Sequence, residues 1–268
     1  MSIAIEKYQK RSTAAGSMLC VGLDSTIERL PARFRDDPHP QFAFNRWIIE
    51  QTHAYAAAYK PNMAFYEARG ADGWTDLALT LDLLRTEHPD IFTICDAKRA
   101  DIDSTNAGYV SAVFDQLGFD AVTLHPYLGR EALQPFLRRA DKACIVLCRT
   151  SNPGANELQG LDVGGRPLWE RVAEAVRDEW DTHGNCMLVI GATAPDDLRR
   201  ARQIAPEMTF LVPGVGTQGG SVEETMRAGL DAHGGGLIVN ASRSVIFAAD
   251  PAAEAQALRD AMRAAMRV

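Results

Sequence analysis

With 268 residues, 46% of them hydrophobic, the chain is long enough for one large core or two small ones. A net charge of −7 excludes the basic footprint of a nucleic-acid binder, and no apolar run approaches the roughly 18 residues that span a bilayer. Met1 to Lys7 lack a secretory-signal pattern, none of the five cysteines forms a CxxC pair, and the six histidines show no metal-ligand spacing. Buried, reduced thiols in a cytoplasmic protein without a zinc site are the expectation.

In chain order, residues 2–15 have the pattern of an amphipathic helix stopped by Gly16. Met18 to Asp24 is a first strand, ending in a carboxylate. The Pro-rich stretch from Pro31 to Pro40 reads as a surface loop. Helical spacing returns from Phe42 to Tyr55. Ala57 to Met63 is a second strand, interrupted by Lys60; a lysine at the end of a buried strand faces a site. A helix follows from Trp74 to Glu87.

Ile91 to Ile94 has the β-branched and aromatic content of a buried strand, then turns abruptly charged at Asp96, Lys98 and Asp101. Asp96 and Lys98, two apart, share one side if the strand continues. Taken alone, they fit a structural ion pair as well as an active site. Thr105 to Leu117 is the next helix, stopped by Gly118.

A fourth strand runs from Ala121 to Pro126 and a fifth from Ala143 to Ser151, with a short helix between them. Residues 152–165, rich in Gly, Asn and Pro, read as a lid or binding loop. A helix runs from Pro167 to Asp181. The sixth strand (Met187 to Ala192) leads to a helix opened by Pro195. The seventh (Thr209 to Pro213) leads to the glycine-rich run Gly214 to Gly220 and a capping box, Ser221 to Glu224. Gly236 to Asn240 is the eighth, followed by Ser242-Arg243 and a helix capped at Asp250-Pro251.

Eight apolar strands alternating with helices predict an α/β fold, a single (β/α)8 TIM barrel over residues 1–268. The alternative, an open doubly wound sheet, calls for a Gly-rich dinucleotide turn after the first strand, and Gly22-Leu23-Asp24-Ser25 is not one. The carboxyl ends of barrel strands converge on one face. Here they carry Asp24, Lys60, Asp96, Lys98, Asp101, Ser151, Gln218 and Arg243. A glycine-rich loop opening a helix, with an arginine nearby, is a phosphate site. A lysine among carboxylates is a better general acid than a Schiff-base nucleophile. The residues therefore point to proton donation to a sugar phosphate or nucleotide, with no metal needed to balance the charges.

Asp96-Ala97-Lys98-Arg99-Ala100-Asp101-Ile102 resembles the DxKxxDI motif of the orotidine 5′-phosphate decarboxylase family. So do Leu23-Asp24, Lys60-Pro61, Pro213 to Gly220 and Ser242-Arg243-Ser244. The insert at 26–41 and the loop from Asn152 resemble its longer bacterial branch. The resemblance implies decarboxylation of orotidine 5′-monophosphate to UMP and CO2, in pyrimidine biosynthesis, without a cofactor. It implies that Lys98 protonates C6, that Asp96 lies against the substrate carboxylate, and that Lys60 and Asp101 complete the charged array. Asp24, Lys60 and Thr105 match ribose contacts, and Ser151 matches the serine that reads the pyrimidine. Val215, Gly216, Gln218, Ser242 and Arg243 fall on the phosphate grip. Ser242 departs from the glycine of many members. The resemblance also implies a homodimer in which Asp101, Ile102 and Thr105 serve the partner's site.

Two alternatives are a Mg2+-dependent sugar-phosphate decarboxylase or aldolase of the same superfamily and a non-catalytic phosphate-binding barrel. The first calls for an acidic metal ligand where Lys60 stands. The second would have lost Lys98 or Arg243.

Overall fold

The computed structural model describes residues 2–215 and 220–266. Its centre is a closed parallel barrel of eight strands in sequence order. They are β1 (Leu19–Gly22), β2 (Ala58–Lys60), β3 (Phe92–Arg99), β4 (Ala121–Leu124), β5 (Ala143–Arg149), β6 (Cys186–Ile190), β7 (Phe210–Pro213) and β8 (Leu237–Ala241). The barrel closes where β1 pairs with β8, Cys20 opposite Asn240. The expected (β/α)8 architecture is the one observed.

Alternation along each strand sorts its residues into two cores. Cys20, Ala58, Ile94, Ala121, Ile145, Met187, Leu211 and Ile238 form one buried cluster inside the barrel. Val21, Tyr59, Cys95, Val122, Val146, Leu188, Val212 and Val239 belong to the larger cluster under the helices. Helix Ile3–Ala15 plugs the amino-terminal mouth. Its Ile5 and Tyr8 join the inner cluster, and the Tyr8 ring meets Phe92 edge-on at 5.5 Å. Two residues further on in β1, β2, β3, β4 and β8 come Gly22, Lys60, Asp96, Thr123 and Asn240, whereas β5, β6 and β7 continue with Leu147, Val189 and Pro213. Thus on the β1–β4 and β8 side the inner face changes from apolar to polar and charged at its carboxyl-terminal layer, which is the layer a barrel uses for chemistry.

Several elements differ from expectation. The Pro31 to Pro40 stretch contains a helical turn, Ala32–Arg35, because Phe34 packs on Phe44 and Trp47 at 5.5 and 5.7 Å. One aromatic anchors a segment whose composition is otherwise that of a loop. Residues 152–165 hold a 3₁₀ turn, Pro153–Glu157, and begin a bridge from Asp162 to Pro167. Gln159 pins this segment, accepting from Thr150 N–H at 2.9 Å and donating to the Thr150 hydroxyl at 2.8 Å. The helices after β3 and β5 each end in a π turn, Ser111–Gln116 and Val176–Trp180, each burying an aromatic side chain, Phe114 or Trp180. All five cysteines are buried and free. Among the described residues no helix is long and apolar enough to cross a membrane.

Candidate active site

The charged layer is organised around one carboxylate. Lys60, the last residue of β2, donates to Asp96 Oδ2, and Lys98 donates to Asp96 Oδ1, both at 2.7 Å. The Lys60 side chain is 4% exposed, that of Lys98 50%. One lysine is therefore a sealed counter-ion and the other reaches solvent. Burial pushes the Asp96 carboxyl up, but the Lys60 and Lys98 charges outweigh it and hold the group well below the usual carboxylate range. Burial likewise pushes Lys60 down, and the Asp96 and Asp24 charges reverse that, leaving it above the usual lysine range.

Asp96 and Lys98 do not meet by simple alternation. The β3–β4 ladder runs Ile94 to Ala121 and Cys95 to Val122, then resumes at Arg99 with Leu124. That is four steps along β3 against two along β4, so the segment bulges. Lys98 takes the left-handed conformation, φ 48°, which costs a non-glycine residue on the order of 1–2 kcal/mol. The Thr123 hydroxyl, on β4, accepts from Lys98 N–H at 2.9 Å and donates to Asp96 Oδ1 at 3.0 Å.

Asp24 stands just past β1, where its carboxylate accepts from Asn62 N–H at 3.1 Å. Asp24, Lys60, Asn62, Asp96, Asn240 and Arg243 help line a cavity of about 180 Å³. Gly22 is required there by close approach, since a Cβ on it would lie 1.9 Å from Ser242 Oγ. Arg243 is exposed and opens the turn Arg243–Ile246. Val215 is buried and bridges to Gly220; Gly216 and Gln218 lie outside the described residues. Ser221 caps the helix Val222–Gly229, accepting from Glu224 N–H at 3.3 Å. A larger hollow, about 720 Å³, opens at the opposite barrel mouth, near Ser12, Thr209 and Arg263. It holds none of the predicted site residues.

Ser151, Asp101, Ile102 and Thr105 are not among the residues that line the 180 Å³ cavity. Ser151 follows β5 and packs on Gly191, where an added Cβ would come within 2.9 Å of its own. Asp101 accepts from Ile102 N–H at 2.7 Å, and no salt bridge joins it to Lys60 or Lys98 among the described residues. Ile102 is 63% exposed and Thr105 is also exposed, at the start of helix Asp103–Val110. Buried Asn106 holds this corner, accepting from Asp101 N–H at 2.9 Å and donating to Ala132 C=O.

Sequence reasoning missed Asn62, Thr123 and Asn240. Thr123 and Asn240 are polar residues near the ends of apolar strands, and that interruption was the available signal. Asn62 acts through its backbone, for which a sequence carries none. No cluster of three or more Cys, His, Asp or Glu is placed to hold a metal among the described residues. The position next to Asp96 that could complete such a set holds the Lys60 ammonium.

The orotidine 5′-phosphate decarboxylase / HUMPS family matches residues 17–258. The orotidine 5′-phosphate decarboxylase of Herpetosiphon aurantiacus is 46% identical, over 97% of this chain and 95% of its own. That of Thermomicrobium roseum is 47% identical over 96% and 92%. Among solved structures, the OMP decarboxylase of Leishmania donovani superposes with a TM-score of 0.89 at 41% identity, covering all of both chains.

Proposed function

The chain belongs to the orotidine 5′-phosphate decarboxylase / HUMPS family, and from that premise we propose that it decarboxylates orotidine 5′-monophosphate to UMP and CO2 without a cofactor. The observation that carries this reading is the Lys60–Asp96–Lys98 run. It presents a fixed anion and a solvent-reaching ammonium side by side at the mouth of the barrel.

The bond from C6 to the carboxylate breaks, its electron pair stays on C6, and CO2 leaves. Lys98 Nζ gives a proton to that carbon and regains one from solvent. An ammonium already held in place stabilises the developing carbanion without reorganisation. Asp96 lies against the substrate carboxylate, and Lys60 keeps it anionic there. Asp24 and Lys60 meet the ribose, and Ser151 reads the pyrimidine. Val215, Gly216, Gln218, Ser242 and Arg243 hold the phosphate. The functional unit is a homodimer in the cytoplasm, with Asp101, Ile102 and Thr105 completing the partner's site. The exposure of Ile102 and Thr105 supports this, as does the lack, among the described residues, of a salt bridge from Asp101 to Lys60 or Lys98.

The Mg2+-dependent alternative is disfavoured by Lys60, whose charge would repel a cation at Asp96. The test is the ultraviolet absorbance of orotidine 5′-monophosphate with EDTA present. The absorbance falls if the reading is right. No turnover, or a strict requirement for Mg2+, overturns it.

A further inference from the structure

We infer that Thr123 is a positioning residue for the reaction, its hydroxyl locking the β3 bulge so that Asp96 and Lys98 are held in register. The inference rests on the decarboxylase reading for its role and on geometry for its residues. In a bulge the extra residues lose their ladder partners, and a buried N–H without a partner is costly. The ladder between β3 and β4 skips from Cys95–Val122 to Arg99–Leu124. Lys98 N–H falls in that gap and is satisfied by a side chain, Thr123 Oγ1, at 2.9 Å. Because the hydroxyl oxygen takes this bond, its hydrogen is directed to Asp96 Oδ1 at 3.0 Å.

One group thus fixes both the backbone of the proton donor and the carboxylate beside it. Thr123 is 1% exposed, so its hydroxyl makes these bonds away from solvent. Asp96 Oδ1 then receives two donors, Lys98 Nζ and Thr123, and Oδ2 receives Lys60. Lys98 holds its φ of 48° in the same place. A serine at 123 preserves both bonds. A valine preserves the volume and neither bond.

The experiment compares wild type with Thr123→Val and Thr123→Ser. The valine variant should lose roughly ten- to a hundredfold in kcat, the range of one or two hydrogen bonds to charged or buried groups. Its KM for orotidine 5′-monophosphate should move little, and serine should restore kcat. Equal kcat for valine and wild type overturns the inference, as does a serine variant as slow as valine. If the valine protein does not fold, Thr123→Cys, with its weak donor, reads the same loss.

A second readout needs no turnover. Carbon-13 NMR of the Asp96 carboxyl should show its acidic titration beginning at higher pH in the valine variant. The charges facing Asp96 are Lys60 from β2 and Lys98 from its own strand, with the Cys20 thiol of β1 and Asp24, just past β1, near Lys60; all are unchanged by the substitution. No shift in that titration also overturns the inference. Failure of wild type to turn over the substrate would instead sink the decarboxylase reading, and the NMR comparison still decides the role of Thr123.

Discussion

Lys60 and Asp96 form a 2.7 Å ion pair whose side chains are only 4% and 11% exposed. Taking two charges out of water is expensive, and the Lys98 and Thr123 bonds to the same carboxylate help to offset the cost. Removing one partner leaves the other charge buried. Lys60→Ala should therefore destabilise the protein toward the lower end of the roughly 3–5 kcal/mol seen for broken buried pairs, since Asp96 keeps Lys98 and Thr123. Urea unfolding at neutral pH measures it. A change below about 1 kcal/mol would mean that the pair contributes little.

The same pair fixes a pH window. The Asp96 carboxyl is depressed in the folded state, so its contribution is complete above its unfolded value, about 4, and disappears as pH falls toward the folded value. Lys60 is raised, so its contribution is complete below its unfolded value, about 10.4, and is lost only at higher pH. Between pH 7 and pH 2 the stability gap between wild type and Asp96→Asn should narrow once the pH falls below about 4, where the unfolded wild-type carboxyl takes up its proton. Urea midpoints across that range check it. A gap unchanged down to pH 2 would contradict the depressed carboxyl.

The exposed corner at Asp101 to Thr105 leads to a complementation test. Lys98→Ala and Asp101→Ala should each be nearly inactive as homodimers. Mixed one to one with subunit exchange, half the dimers are hybrids with one intact site, so activity should return to about a quarter of wild type. Exchange demonstrated by a labelled subunit, with no recovered activity, would place each whole site within one chain.

Gly22 is set by the approach of Ser242. An alanine methyl there would sit 1.9 Å from Ser242 Oγ and 3.1 Å from Asp24 Oδ2. Ser242 must move, and Arg243 with it. Gly22→Ala should raise KM for orotidine 5′-monophosphate by about tenfold, with a smaller change in kcat, because the displaced groups are assigned to binding rather than proton transfer. Steady-state kinetics separate the two. An unchanged KM would show that the turn absorbs the methyl.

Much of this was legible in the chain. The eight apolar runs matched all eight strands, most of them displaced by a residue or two at their ends, while β2 stops three residues before Met63 and β3 continues five past Ile94 to Arg99; burial on both faces of a parallel strand leaves little choice of residue. Asp96, Lys98 and Lys60 stood out because charge at the end of an apolar strand needs a partner. The helical turn Ala32–Arg35 was not legible, since it depends on Phe34 finding Phe44 and Trp47.

By itself, then, the sequence determined the barrel and which charges gather at its carboxyl-terminal face, since alternation and burial are local patterns. Only the tertiary structure decided how those charges pair. That depends on register between neighbouring strands: a two-residue excess in β3, taken up at a lysine with φ 48°, and a threonine on β4 opposite the gap. Register is a relation between segments far apart in the chain, and no window of residues contains it.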